Sequence, residues 1–218
     1  MVHRQNLPET ASFVNSESDG RLIAPSAVRN GDAIVDLVKK TAINSGRALE
    51  IASGTGQHIV RLASSLPHLI WQPSDVDETR IKSICSWSDD QHLPNLKPPC
   101  LLDATNKGWS AEHQDQDLIL LVNLLHLISA KETKILVKEI SMALASKGLS
   151  IIYGPFMRCG KLVSKADIEF HHSLINTDPD LGYKNDVDMI NLFGKEGLLH
   201  LSTEKMPANN LAFILQKT

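Results

Sequence analysis

The residues best suited to chemistry stand behind short apolar runs. Glu50 lies four residues ahead of the first glycine in EIASGTG, at the close of the run RALEIA. A carboxylate there would repel pyrophosphate, but it would accept hydrogen bonds from an ammonium group. Gly54 and Gly56 would let a ligand approach the backbone, and the helix start beyond them would offer free N–H donors to a ligand carboxylate. Those are the needs of an amino-acid end, such as the methionine end of S-adenosylmethionine, and Glu50, Ala52, Gly54 and Gly56 are the candidate contacts. The competing reading is structural: Glu50 pairs with Arg47 or Arg29, and the glycines form a tight turn. Two common phosphate motifs do not fit. Ile59 occupies the position where a dinucleotide fingerprint needs a small residue, and no Gly-Lys-Ser/Thr follows.

Asp75 lies 21 residues after Gly54, behind a second apolar run, where a carboxylate can take both hydroxyls of a ribose. Asp77 is better placed to cap the next helix. Asp103 follows a third run and, with the small Ala104 beside it, could accept from an adenine amino group; a solvated turn residue is the alternative. On the acceptor side, His126 is either a base or orienting group near the mouth of the sheet, or a cap for the following loop. Tyr153 could donate a hydrogen bond to an acceptor, or simply close its strand. Asn209 and Asn210 could hold a polar substrate head, or serve as turn formers. His171 and His172 are adjacent, so they point ~100° apart on a helix and do not form the two-histidine metal face of i, i+4 spacing. No metal is expected.

Positioning these groups takes alternating strands and helices. Ala27 to Ala42 has helical spacing, Arg47 to Ala52 is a strand ending in the glycine turn, and Ile59 to Leu66 restores the helical period. Leu69 to Gln72 is a strand closed by Pro73, Asp77 to Trp87 a helix, and Pro98 to Asp103 a third strand. Asp117 to Asn123 is apolar without alternation, as a central parallel strand covered on both faces requires. Ser129 to Ala145 is a helix with a capping box, Ser129 and Glu132. Gly148 to Tyr153 is the next strand, broken by Gly154 and Pro155. Helices follow at Ser164 to Asn176 and Asp186 to Lys195. Leu198 to Lys205 and Asn210 to Gln216 are then strands joined too closely for anything but antiparallel pairing. The fold class is α/β: an open, doubly wound, mostly parallel sheet with one reversed edge strand. A single domain is expected over residues 1–218, with 1–26 as a polar arm or lid and 157–190 as a helical insertion on the substrate side.

Length and charge bound the partners. With 218 residues, 42% of them hydrophobic and 22% charged, the chain can bury a full core. Its 22 Lys and Arg against 25 Asp and Glu give a net charge of -3, which provides no positive field for nucleic acid. No run approaches the ~20 apolar residues of a membrane span, and the first residues lack the apolar core of a secretory signal. Cys85, Cys100 and Cys159 are odd in number and lack ligand spacing, so a reducing, cytoplasmic setting is expected. Self-association as a homodimer stays open.

LEIASGTGQH (Leu49 to His58), WQPSD (Trp71 to Asp75), LPN with Pro98 and Pro99 following, NLLHLIS (Asn123 to Ser129), YGPF (Tyr153 to Phe156) and MPANNL (Met206 to Leu211) resemble the methyltransferase-like 26 family. The likeness runs from about Leu22 onward. It implies a Rossmann-like class I methyltransferase with a seven-stranded sheet and an antiparallel last strand, and S-adenosyl-L-methionine as cofactor. It also implies that Glu50, Gly54 and Gly56 form the methionine-side loop, that Asp75 is the ribose acid and Asp103 the adenine-side acid. Asn123 would border the transferred methyl group, and Arg29 and Asn30 would sit near the cofactor mouth. The expected activity is methyl transfer to a small-molecule acceptor, with His126, Asn123 and Tyr153 as catalytic candidates. The alternatives are a non-catalytic binding module on the same scaffold, and a cofactor-assisted rearrangement without methyl transfer.

Overall fold

The structure, a computed structural model, describes residues 14–41, 43–89 and 91–218. Residues 1–13 of the expected arm, and Ala42 at the end of the first expected helix, lie outside that set. A short antiparallel hairpin, β1 (Asn15–Ser16) and β2 (Leu22–Ile23), leads into α1 (Pro25–Lys40). Then come β3 (Gly46–Ile51), α2 (Gln57–Ser65), β4 (Leu69–Asp75), α3 (Glu78–Asp89), β5 (Cys100–Leu101) and β6 (Gln116–Val122). The second half holds α4 (Ala130–Ala143), β7 (Leu144–Met157), α5 (Lys165–Thr177), β8 (Lys184–Asn185), α6 (Asp186–Lys195), β9 (Leu198–Lys205) and β10 (Asn210–Lys217). Among the described residues no helix is long and apolar enough to cross a membrane.

The main sheet runs β5-β4-β3-β6-β7-β10-β9, with the two-residue β8 pairing beside β7. Its pairs are parallel except those of β10, which runs against both β7 and β9. The reversed strand therefore lies one place inside the edge, and β9 forms the edge itself. From β3 the chain winds outward through β4 to β5, then returns to the other side of β3 at β6. The crevice beyond the carboxyl ends of β3 and β6 is thus the switch point where ligands settle in such sheets.

Two strands extend past residues expected to end them. Pro73 lies within β4 because Trp71 N–H donates outward to Asn95 O (2.8 Å) while Ser74 N–H turns inward to Ser53 Oγ (3.2 Å). The missing donor of Pro73 thus faces outward, where β5 pairs only from Ser74 onward. Gly154 and Pro155 do not break β7, since they pair with Leu211 and Asn210, and Asn210 is the first residue of β10. Conversely, only Cys100 and Leu101 of the expected Pro98 to Asp103 strand pair as β5.

Side chains alternate between two cores. In β6, Leu118, Leu120 and Val122 pack with α1, α2 and α3, whereas Ile119 and Leu121 pack with α4 and α6. All five are buried, which explains the run without alternation. The same period of two places Ala48 of β3, Ile151 and Tyr153 of β7 and Ala212 of β10 on the α1–α2–α3 face. Glu50 and Asn210 share that face by parity.

Candidate active site

The turn after β3 is bound tightly to the end of β4. Ser53 N–H donates to Ser74 O (2.8 Å), Ser74 Oγ donates to Glu50 O (2.8 Å), and Gly54 N–H donates to Asp75 Oδ2 (2.8 Å). Ala52 has φ +54, Gly54 φ +60 and Gly56 φ +93, so the chain reverses through left-handed backbone. Side chains meet that geometry with strain of a kind that collects at functional sites. The two glycines differ in surroundings. A Cβ on Gly56 would lie 2.9 Å from Ile84 Cα, whereas on Gly54 it would meet only Ala52 O at 3.9 Å. Gly56→Ala is therefore expected to lower the unfolding free energy by about 3 kcal/mol, left-handed strain and overpacking together. Gly54→Ala should cost about 1 kcal/mol, from the backbone alone. Urea midpoints at constant slope check both values.

Glu50 is 1% exposed, and its Oε2 is buried without a hydrogen-bond partner among the described residues. The expected alternative of an Arg47 ion pair fails, since Arg47 approaches Asp115 (3.4 Å) at the opposite end of the strand. Burial pushes the Glu50 carboxyl up to about 8; the Ser53 hydroxyl opposes this and the charge of nearby Asp75 adds to it. Asp75 is also raised by burial, against the pull of N–H groups from Asp77 and Gly54. Its Oδ1 accepts from Asp77 N–H at 3.0 Å. Asp77 itself caps α3, accepting from Thr79 N–H at 2.7 Å.

A strap from the hairpin lies against this turn. Leu22 N–H donates to Ser83 Oγ, which in turn donates to Thr55 O, both at 2.8 Å. Ala24 N–H donates to Gln57 Oε1 at 2.7 Å. Two surface grooves, of ≈ 480 and ≈ 380 Å³, lie elsewhere: one beside Asp32, Arg61 and Trp87, the other beside Arg47, Lys97 and Glu112. Neither includes Glu50 or Asp75, which sit in the packed interior.

Asn123 follows β6 with φ +56, and its N–H donates to Tyr153 O at 2.9 Å. Its side chain lies over Gly154, where a Cβ would come within 3.7 Å of Oδ1. Tyr153 Oη accepts from Asn210 Nδ2 at 3.0 Å and has Asn30 as a second side-chain partner. Asn30 is buried on α1 and holds His58 Nε2 at 2.8 Å from its Oδ1, while Arg29 is exposed beside it. Neither His58 nor its bond to Asn30 was legible as part of the site. The only signal was its place in GTGQH, one residue into α2.

Other candidates sit differently. His126 is in a short 3-10 turn, Leu125–Leu127, with its ring edge-on to Phe170 (5.6 Å) and Tyr183 (6.3 Å). Its Nδ1 has no partner among the described residues, and burial, aided by the Lys184 charge, pushes the ring down to about 3. It does not cap the following loop with its side chain; its backbone carbonyl accepts from Gly182 N–H instead (3.0 Å). Asp103 organises its own turn: Oδ1 accepts from Thr105 N–H (3.0 Å) and Oγ1 (2.6 Å), and Oδ2 from Asn106 Nδ2 (2.9 Å). Ala104 beside it is buried and accepts from Trp109 Nε1 at 3.2 Å. His171 Nδ1 accepts from Tyr183 N–H at 3.1 Å, a structural contact on α5. Asn209 Nδ2 donates to Asp167 Oδ2 at 3.1 Å, tying the β9–β10 turn to α5.

The strand order, with β10 reversed between β7 and β9 and a glycine turn after β3, defines the class I methyltransferase fold. The chain is similar to an O-methyltransferase family protein from Burkholderia thailandensis, with TM-score 0.74 and 15% identity over 88% of this chain and 57% of that one. A putative O-methyltransferase from Nostoc punctiforme PCC 73102 gives 0.75 and 18% over 86% and 55%. PigF with SAH gives 0.72 and 14% over 88% and 64%. The chain thus spans between 55% and 64% of the length of these three structures, and identities this low establish the shared fold. Residues 21–217 match the model of the family described as "Protein of unknown function (DUF938)", and the chain belongs to that family.

Proposed function

We propose that this chain binds S-adenosylmethionine across the carboxyl ends of β3, β4 and β6 and transfers its methyl group to a small-molecule acceptor. The observation that carries the reading is Glu50 Oε2, a buried acid oxygen without a hydrogen-bond partner among the described residues, on a carboxyl that feels the Asp75 charge beside a glycine turn with space at Gly54. A buried polar atom without a partner costs folding free energy, and a ligand ammonium would remove that cost. The motifs quoted above support placing the chain with the methyltransferase-like 26 family. When bound, S-adenosylmethionine supplies a methyl carbon made electrophilic by its sulfonium.

In this reading Glu50 takes the ammonium and Asp75 the ribose hydroxyls. Asp103 and Ala104 flank the adenine, and Arg29 and Asn30 border the mouth. Asn123, held in strained backbone, borders the methyl group, so that the acceptor is aligned by fixed groups. His126 stays a neutral imidazole, and with its ring pushed down to about 3 it serves through Nδ1 as a hydrogen-bond acceptor that orients the acceptor molecule rather than as the expected base. The insertion carrying α5 folds over the acceptor. A net charge of -3 supports small molecules rather than nucleic acid, and three free thiols support a cytoplasmic setting. A single domain over 1–218 and a homodimer belong to the same reading.

Calorimetric titration with S-adenosylmethionine and S-adenosylhomocysteine tests it; no heat with either removes it. His126→Phe keeps the aromatic packing and deletes Nδ1. It is expected to lower turnover while leaving S-adenosylmethionine affinity within about twofold of wild type, since no cofactor hydrogen bond is lost. An affinity loss as large as that of Asp75→Ala would place His126 with the cofactor instead.

A further inference from the structure

On the face of the sheet that carries Glu50, Tyr153 of β7 and Asn210 of β10 meet Asn30 of α1 and His58 of α2, and the four polar side chains are linked. An amide carbonyl oxygen can only accept, so at 2.8 Å from Asn30 Oδ1 the His58 Nε2 holds the proton and donates it. Burial pushes His58 down to about 4, so the ring is neutral and this arrangement persists at working pH. The bond fixes the Asn30 amide, with its oxygen occupied and its NH2 left to others. Tyr153 Oη accepts from Asn210 Nδ2 at 3.0 Å, and Asn30 acts on the same oxygen in the same sense, favouring its negative end. Burial keeps the phenol protonated. No acceptor among the described residues takes that proton. Tyr153 is therefore a donor with its oxygen held by amides and its O–H uncommitted, and the Arg29 guanidinium acts on the same place.

We propose that Tyr153 donates to a carboxylate on the acceptor molecule, with Arg29 supplying the matching charge and His58, Asn30 and Asn210 acting as positioning residues. A carboxylate satisfies an uncommitted donor beside a cation, whereas an ammonium would be repelled there and a hydrocarbon would leave the buried proton unpaired. The turn MPANN, otherwise only a connector, thereby gains a role: Asn210 aims the phenol. This rests on the cofactor reading above, because S-adenosylhomocysteine is needed to complete the acceptor's surroundings.

The test loads the protein with S-adenosylhomocysteine and titrates benzoate and benzamide by calorimetry. Benzoate is expected to bind at least tenfold more tightly than benzamide. Tyr153→Phe and Arg29→Gln should each weaken benzoate roughly tenfold and leave benzamide unchanged. His58→Phe should weaken benzoate, and His58→Gln, which keeps an N–H donor, should restore it to within about threefold; a merely structural His58 would show no such split. Benzoate binding that is absent, or no tighter than benzamide, or indifferent to Tyr153→Phe overturns the proposal. Those results with S-adenosylhomocysteine bound leave the cofactor reading standing, whereas failure of S-adenosylhomocysteine itself to bind removes both.

Discussion

Glu50→Gln is expected to make the ligand-free protein more stable and its affinity for S-adenosylmethionine weaker. Burial first, with the Asp75 charge adding, raises the folded carboxyl from 4.5 to about 8. For a group raised on folding, the stability it contributes is fully present below its unfolded value and is lost as pH rises through the folded one. Between those values each pH unit removes up to ~1.4 kcal/mol. Glutamine does not titrate, so near pH 7.5 the variant should be the more stable by about 4 kcal/mol, a difference that vanishes toward pH 4.5. Binding has the opposite sign. An ammonium needs the ionised carboxylate, so wild-type affinity should rise about tenfold per unit up to pH near 8 and then level, with release of a proton. In the variant the affinity should be flat and about 100-fold weaker at pH 8. Urea unfolding at two pH values, and calorimetry in buffers of different ionisation heat, measure both halves. A variant less stable than wild type at pH 7.5, or a wild-type affinity flat from pH 6 to 8, would show that Glu50 does not meet the ligand's charge.

Asp75→Ala should lower S-adenosylmethionine affinity by about 1000-fold, the larger of the binding effects. Two ribose hydroxyls lose a charged acceptor, at roughly 1.5–3 kcal/mol each. The Gly54 amide also loses the oxygen that fixes it at 2.8 Å, so the turn is no longer held to the end of β4. Asp77→Ala is the matched control. It removes the cap on Thr79 N–H and should cost about 1 kcal/mol of stability, with affinity retained. Equal affinities in wild type and Asp75→Ala would refute the ribose assignment, and a reversed pattern would give that place to Asp77.

What could be read from the sequence was set by the range of the interaction. The capping box of α4 spans four residues, and the structure has both of its bonds, Ser129 Oγ from Glu132 N–H (3.2 Å) and Glu132 Oε2 from Ser129 N–H (2.6 Å). The uninterrupted apolar run of β6 declared its burial on both faces, and β9 has its expected ends. Pro73 and Gly154-Pro155 misled because a proline's tolerance depends on which neighbour its nitrogen faces, which is settled by pairing rather than composition. The two-residue strands β1, β2 and β8 leave no periodic trace. In the site, Glu50, Gly54 and Asp75 were legible from spacing around one turn. The His58–Asn30 bond joins residues 28 apart on two helices, and no local pattern announces it.

The place of β10 has a kinetic consequence. Its ladder with β9 closes across a few residues, while its ladder with β7 pairs Tyr153 with Ala212 and Pro155 with Asn210, and the Asn210 side chain bonds to Tyr153 Oη 57 residues away. Local hairpins form in about 1–10 μs, and distant closures are slower. β9 and β10 are thus expected to pair early and dock late as a preformed unit. Until they arrive, β7 presents an unpaired margin open to aggregation.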